Sequence, residues 1–336
     1  MRQSPYEQGT FDCVGEFIKS CKKYDILPGL YYQTGFNGHY FNKEQYRMPG
    51  TKEHEEYVRI VEEDLEELWT RYGQLFEIWF DGGVVTRKDG GADVAGLLEK
   101  YQPQAVCFQG PEEHGQNLRW IGNEDGLAPF DTWSTTDKKV CHFDGSSQDM
   151  QIGKGVPGGK YWFPAETDMG NRRPEAAGTG WGWLPVKNGW YGHRKSFWNG
   201  IIPRWGETAI SCWGSALRMT EAFLILQFRT LGKYIRRIYE RPLNSIRGEG
   251  TSFVLTLPEN SIVKNISVME EIAEGEKIRK FRITAITDIG ERELIHAGCI
   301  GHKRLIAAGN LRAEEIRLEI LQSEGKPCIR DFTVYG

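Results

Sequence analysis

The chain has 336 residues, 39% of them hydrophobic, and a formal net charge of −4 at neutral pH. This describes a globular chain long enough for two domains, and it excludes a disordered one. The charge gives no reason to expect nucleic acid or an anionic membrane surface as a partner. No run approaches the ~18 apolar residues of a membrane span. The opening MRQSPYEQGT has no basic stretch followed by an apolar core, so it does not read as a secretory signal, and as written the chain reads as cytoplasmic. The seven cysteines are scattered singly, without a CxxC pair, so neither a disulfide framework nor a zinc site is expected.

The first ~110 residues alternate helix and strand. FDCVGEFIKSCKKY places Phe11, Val14, Phe17, Ile18 and Cys21 on one helical face, and ILPGLYY follows as a buried strand. EHEEYVRIVEEDLEELWTRYG puts Tyr57, Val61, Leu65, Leu68 and Tyr72 on one stripe, before the strand LFEIWF. ADVAGLLEKY turns Val94, Leu97, Leu98 and Tyr101 inward, and QAVCFQ is a third strand. This order implies a parallel sheet covered by helices, either a barrel or a doubly wound sheet, with functional residues at the carboxyl ends of the strands. From about residue 110 to 200 the pattern gives way to long loops dense in Gly, Asp, Trp and Pro, a texture more often functional than connective. KYIRRIYERP then reads as a short basic helix. After residue 245, TSFVLTLP, IVKNISVMEE, KIRKFRITAI, HKRLIAAG, EIRLEILQS and CIRDFTVYG predict a β-sandwich. The expected division is residues 1–244 and 245–336.

Asp81 ends the strand LFEIWF and is followed by two glycines, which let the backbone turn sharply and a ligand approach. Trp79 lies two residues earlier, on the same face. A carboxylate beside an indole at a strand end suits a glycosidase nucleophile; the same Asp could equally cap a turn. RWIGNEDG supplies a second acid, Glu124, with Asp125 as its rival, in a Gly- and Asn-rich loop. Retaining glycosidases need two carboxyl groups about 5–5.5 Å apart, one ionised to attack and one protonated to donate. Trp120 and Trp133 are candidates for the surroundings that would keep the second acid protonated. The 11 tryptophans all fall between Trp69 and Trp213, which suits either a sugar site or an aromatic core.

WFDG after a strand, RWIGNEDG some forty residues on, then FPAETD and NGWYGH resemble the signposts of the family 29 α-L-fucosidases, in the branch that prefers α-1,3/1,4-linked fucose. GKYIRRIYERP, MEEIAEGEKIRKFRI and IGHKRL resemble the end of that family's barrel and its C-terminal sandwich. The resemblance implies a (β/α)8-like barrel, no metal or cofactor, a fucosylated glycan as substrate, and a two-step mechanism with retention. It assigns Asp81 as nucleophile, Glu124 as acid/base and Trp79 to the pocket, packed on the C5-methyl side of the sugar. Tyr31 or Tyr32 falls where the family has a site tyrosine. Glu166, Arg173 and Trp190 lie in the segment matching the site wall, although the insertion MGNRRPEAAGTGWGWLPVKN departs from the family's spacing.

Two further departures are expected to matter. SPYEQGTFDCVGEFIKSCKKYDILPGLYY resembles the family only from the helix after the second barrel strand, so an incomplete barrel with weak or no activity is expected. Residues 197–223 have no clean period; read one nucleotide out of step, ETAISCWG can be written GNSNLLLG, which resembles the family's late barrel strand. A pair of compensating frameshifts would account for this, and Trp205, Cys212 and Trp213 would then carry no functional meaning. A non-catalytic sugar-binding protein and a barrel glycosidase of other specificity remain the alternatives. Relatives in this family are often exported, so the compartment stays open, as does the oligomeric state.

Overall fold

The computed structural model describes residues 12–35, 47–124, 128–138, 153–170, 210–214 and 241–336. The chain divides into two compact units, one of residues 1–120 with 139–148 and the other of residues 121–138 with 149–336.

In the first unit, helix α1 (Cys13–Lys23) starts where the Asp12 carboxylate accepts the Gly15 N–H at 2.8 Å. Strand β1 (Gly29–Tyr32) follows, then helix α2 (Lys52–Arg71), capped by Thr51. Strand β2 (Glu77–Phe80), helix α3 (Val94–Tyr101), and strands β3 (Val106–Phe108) and β4 (Asn117–Trp120) complete the described part. The four strands pair in chain order and in parallel, with Gly29 opposite Glu77, Glu77 opposite Val106, and Cys107 opposite Asn117. Strand alternation gives the sheet two faces. Ile78, Phe80 and Cys107 pack with Tyr57, Val61, Leu65 and Trp69 of α2 and with Val94 and Leu98 of α3 into one core. Leu68, Tyr72, Leu97 and Tyr101, expected inside, only border this core, while Phe17 of α1 is exposed. The other face carries Tyr31, Trp79 and Phe108.

The α2–β2 turn is held by one buried side chain. Gln102 accepts the Leu75 N–H at 2.9 Å and donates to Trp69 O at 2.7 Å and Gly73 O at 3.0 Å. Gln102→Leu deprives the buried Leu75 N–H and Trp69 carbonyl of this partner and should destabilise the chain by about 2–4 kcal/mol. Urea unfolding followed by circular dichroism measures it; an unchanged midpoint would refute the assignment.

The β3–β4 link spans only residues 109–116 and contains no helix, although parallel neighbours normally need a crossover of a dozen or more residues. Here the side chain of Asn117 donates to Pro111 O and His114 O at 2.8 and 2.7 Å, and the His114 ring donates to Ala105 O at 2.6 Å. Gly110 is required, because a Cβ there would come within 2.4 Å of Asn117 Oδ1.

In the second unit, β5 (Thr135–Thr136) pairs antiparallel with β6 (Tyr161–Trp162), and β7 (Ala165–Gly170) pairs parallel with β8 (Ile210–Gly214). Eight further strands follow: β9 (Pro242–Glu249), β10 (Ser252–Thr256), β11 (Ile262–Glu270), β12 (Ile278–Thr287), β13 (Gly290–Ala297), β14 (Arg304–Arg312), β15 (Glu315–Ser323) and β16 (Cys328–Tyr335). They form two antiparallel four-stranded sheets, ordered β10-β15-β12-β13 and β14-β11-β16-β9. Phe253, Phe281, Ile283, Ile316 and Leu318 meet Ile266, Val268, Phe332 and Val334 in the core between them. A register shift after Val263 lets Val263, Ile266 and Val268 all face inward, where strict alternation would turn one of them out. The architecture is therefore an incomplete (β/α)8-like barrel with a C-terminal β-sandwich. Among the described residues no helix is long and apolar enough to cross a membrane.

Candidate active site

Asp81 follows the last residue of β2, at the carboxyl end of the parallel strands. Its N–H donates to Tyr32 O at 3.3 Å, continuing the ladder one residue past the strand. The chain then reverses through Gly82 and Gly83 at φ 70° and 81°, a left-handed conformation that side chains other than glycine's rarely adopt. Thr34, 4% exposed, pins this turn: its hydroxyl donates to Gly83 O at 3.3 Å and accepts the Val85 N–H at 3.1 Å. The Tyr57 hydroxyl in turn donates to Thr34 O at 3.0 Å.

Tyr31 donates its phenolic proton to Asp81 Oδ2 at 2.6 Å. Packing around the phenol, first, and the carboxylate it bonds to, second, push the Tyr31 hydroxyl above its usual range, so it stays a donor at any physiological pH. Strand register sets Tyr31 opposite Trp79 and Trp79 opposite Phe108. The three rings form a stacked ladder, with centroids 5.6 Å apart at 18° and then 4.0 Å apart at 2°. Tyr31 and Phe108 thus take the two faces of the Trp79 indole.

Tyr32, the alternative site tyrosine, needs correcting. Alternation sends it to the helix face, where its hydroxyl donates to Asp64 Oδ2 of α2 at 3.0 Å. Trp120 ends β4 on the same face as Leu118, whose register partner is Phe108. Phe108 and Thr34 were not anticipated. The cue for Phe108 was its place on the same side of the next strand as Trp79; Thr34 had no cue, because its role depends on a contact 49 residues away.

Glu124 lies in the second unit, in the loop after β4, and is exposed. That loop begins where the Ile121 N–H donates to Glu166 O of β7 at 3.0 Å, and Gly122 turns it at φ 97°. Glu166 is 1% exposed and lies beside the buried Thr167 and Asp168. Trp133 is 5% exposed, with the Arg279 guanidinium 5.1 Å from its ring centre. Arg173, Trp190 and Asp125 lie outside the described residues. Among the described residues no group of three or more His, Cys, Asp or Glu side chains could hold a metal ion.

A carboxylate at the carboxyl end of parallel strands, gripped by a tyrosine on an aromatic ladder and followed by a β-sandwich, is the build of a glycoside hydrolase. No protein-family model matches the chain. Alpha-L-fucosidase 1 of Arabidopsis thaliana is 28% identical over 383 residues, spanning 100% of this chain and 71% of the relative. A solved structure from Bacteroides thetaiotaomicron VPI-5482, assigned to the α-L-fucosidases, superposes with a TM-score of 0.85 at 26% identity, covering 97% of this chain and 76% of its own. The fold is also that of a Ruminococcus gnavus family 29 fucosidase solved with fucose, with a TM-score of 0.75 at 19% identity, covering 98% of this chain and 76% of that one. The Arabidopsis relative and the Bacteroides structure support the α-L-fucosidases as the family of this chain, and the fold is shared with family 29 of the glycoside hydrolases.

Proposed function

We propose that the chain is an exo-acting, retaining α-L-fucosidase that removes terminal L-fucose from glycans, in the branch acting on α-1,3/1,4 linkages. The observation that carries this reading is the Tyr31–Asp81 hydrogen bond at the carboxyl end of the parallel strands. Tyr31 occupies Oδ2 and orients the carboxylate, so Oδ1 attacks the anomeric carbon and the bond to the leaving oxygen breaks as the fucosyl-enzyme forms. Glu124 donates the proton to the departing oxygen and then takes one from the water that releases fucose. With both faces of Trp79 occupied by neighbouring rings, the indole edge meets the apolar C5-methyl side of the sugar. Arg173 and Trp190 are assigned to substrate binding with Glu166 through the FPAETD and NGWYGH resemblance. We place the division between the barrel part and the sandwich near residue 245.

The test is hydrolysis of an aryl α-L-fucoside followed by proton NMR. The expected first product is α-fucose, which mutarotates later. A β-anomer appearing first would overturn retention. Turnover of another aryl glycoside but not the fucoside would overturn the sugar assignment, and fucose binding without any turnover would overturn the enzyme reading.

A further inference from the structure

Segment 130–134, which follows the Glu124 loop, places several of its polar groups on residues 142 to 174 positions further along the chain. Asp131 Oδ1 accepts the N–H groups of Gly298 and Cys299 at 3.0 and 3.2 Å. Arg304, 3% exposed, donates to Phe130 O at 2.9 Å, lies 3.6 Å from Asp131 Oδ1, and stacks over the Phe130 ring. Glu276 accepts both the N–H of Ser134, at 3.1 Å, and its hydroxyl, at 2.9 Å. Between them Thr132 and Trp133 are buried, with Arg279 covering Trp133. At its other end the loop is tied by Ile121 to Glu166. Glu124 therefore lies in sequence between two fixed points, Ile121 and the 130–134 segment, the second built by the C-terminal sandwich.

We infer that the sandwich is a positioning device for Glu124: Asp131, Arg304 and Glu276 hold the loop so that its carboxyl group can reach the leaving oxygen. These three are positioning residues and touch no substrate. The inference rests on the proposed role of Glu124 as acid/base. It goes beyond a sandwich that merely packs on the barrel, because it predicts which chemical step suffers when the anchor is cut. A misplaced acid matters where the leaving group needs a proton and hardly at all where it departs as a stable anion.

The experiment compares Asp131→Ala with the native chain on two substrates, phenyl and chloronitrophenyl α-L-fucoside. The expected result is a fall of roughly 10–100-fold in kcat/KM on the phenyl substrate, part of the ~10²–10⁴ a general acid contributes, with the activated substrate within about twofold of native. Asp131→Asn, whose side-chain oxygen still accepts both N–H groups, should restore most of the loss. Equal falls on both substrates, or none on either, would overturn the inference. Amide hydrogen exchange on the same proteins decides independently of turnover: faster exchange across 121–134 with the sandwich strands still protected supports the anchor, and unchanged exchange there refutes it. Should the native chain turn over neither fucoside, the functional reading fails while exchange still judges the anchor. If Asp131→Ala does not fold, Ser134→Ala, which deletes one hydroxyl bond to Glu276, is judged by the same two readouts.

Discussion

Asp81→Gly should lose at least about 10³-fold in hydrolysis of an aryl α-L-fucoside, because in the proposed mechanism it removes the covalent route altogether. The fold should survive. The backbone bond from residue 81 to Tyr32 O does not use the side chain, and the reversal that follows is set by Gly82 and Gly83. Added azide should restore turnover by entering the space left by the carboxylate. It would attack the anomeric carbon directly and give β-fucosyl azide, of configuration opposite to the substrate. Tyr31→Phe, which keeps the stacked ring and deletes only the hydroxyl, should cost roughly 10–100-fold, the worth of a hydrogen bond to a charged group. If Asp81→Gly keeps its rate, or azide yields the α-azide, Asp81 is not the nucleophile.

The second large effect concerns stability. Glu270 ends β11 and is 1% exposed; one of its oxygens accepts the N–H groups of Lys277 and Ile278 at 2.6 and 2.9 Å. Burial outweighs those bonds and raises its carboxyl group from an ordinary 4.5 to about 7, with the nearby Glu276 adding to the rise and Arg279 opposing it. The folded state thus binds a proton that the unfolded chain has released between these two values, so this group's contribution falls as pH rises from about 4.5 to about 7 and stays low above that. Glu270→Gln keeps an oxygen for the two N–H groups and cannot ionise. It should be more stable than the native chain by about 2–3 kcal/mol at pH about 8, with the advantage fading towards pH about 5. Thermal unfolding of both proteins at the two pH values is the measurement. An advantage of equal size at both would show that Glu270 does not titrate in this range.

The sequence was most legible where a periodic stripe coincided with a buried face. Tyr57, Val61 and Leu65 of α2 lie in the core as their spacing required, and the inner residues of β10 and β15 follow their alternation. Strands β9 and β13 escaped notice because they combine an edge position with faces left almost wholly in water. Each borders a single neighbour in its sheet and leaves most of its side chains in water, so neither shows an apolar alternation. β8 forms from ISCWG, inside a stretch without a helical or strand period, because partner choice in a parallel sheet is settled by tertiary context. At the candidate site, the strand end at Asp81 and its shared face with Trp79 could be read directly. The choice between Tyr31 and Tyr32 could not, since adjacent residues on a strand differ only in which side they face, and that is fixed by what packs on the sheet.

The arginine pair at positions 279 and 304 bears on how the gene can be divided. A cut just ahead of β9, close to where the strand-rich texture begins, would part both guanidinium groups from the aromatic and carbonyl surfaces of residues 130–133 that now cover them. The fragment's β-strands would be intact, yet it would carry a raw basic patch where the whole chain has a closed seam. A soluble sandwich would need to keep that short upstream strip with it.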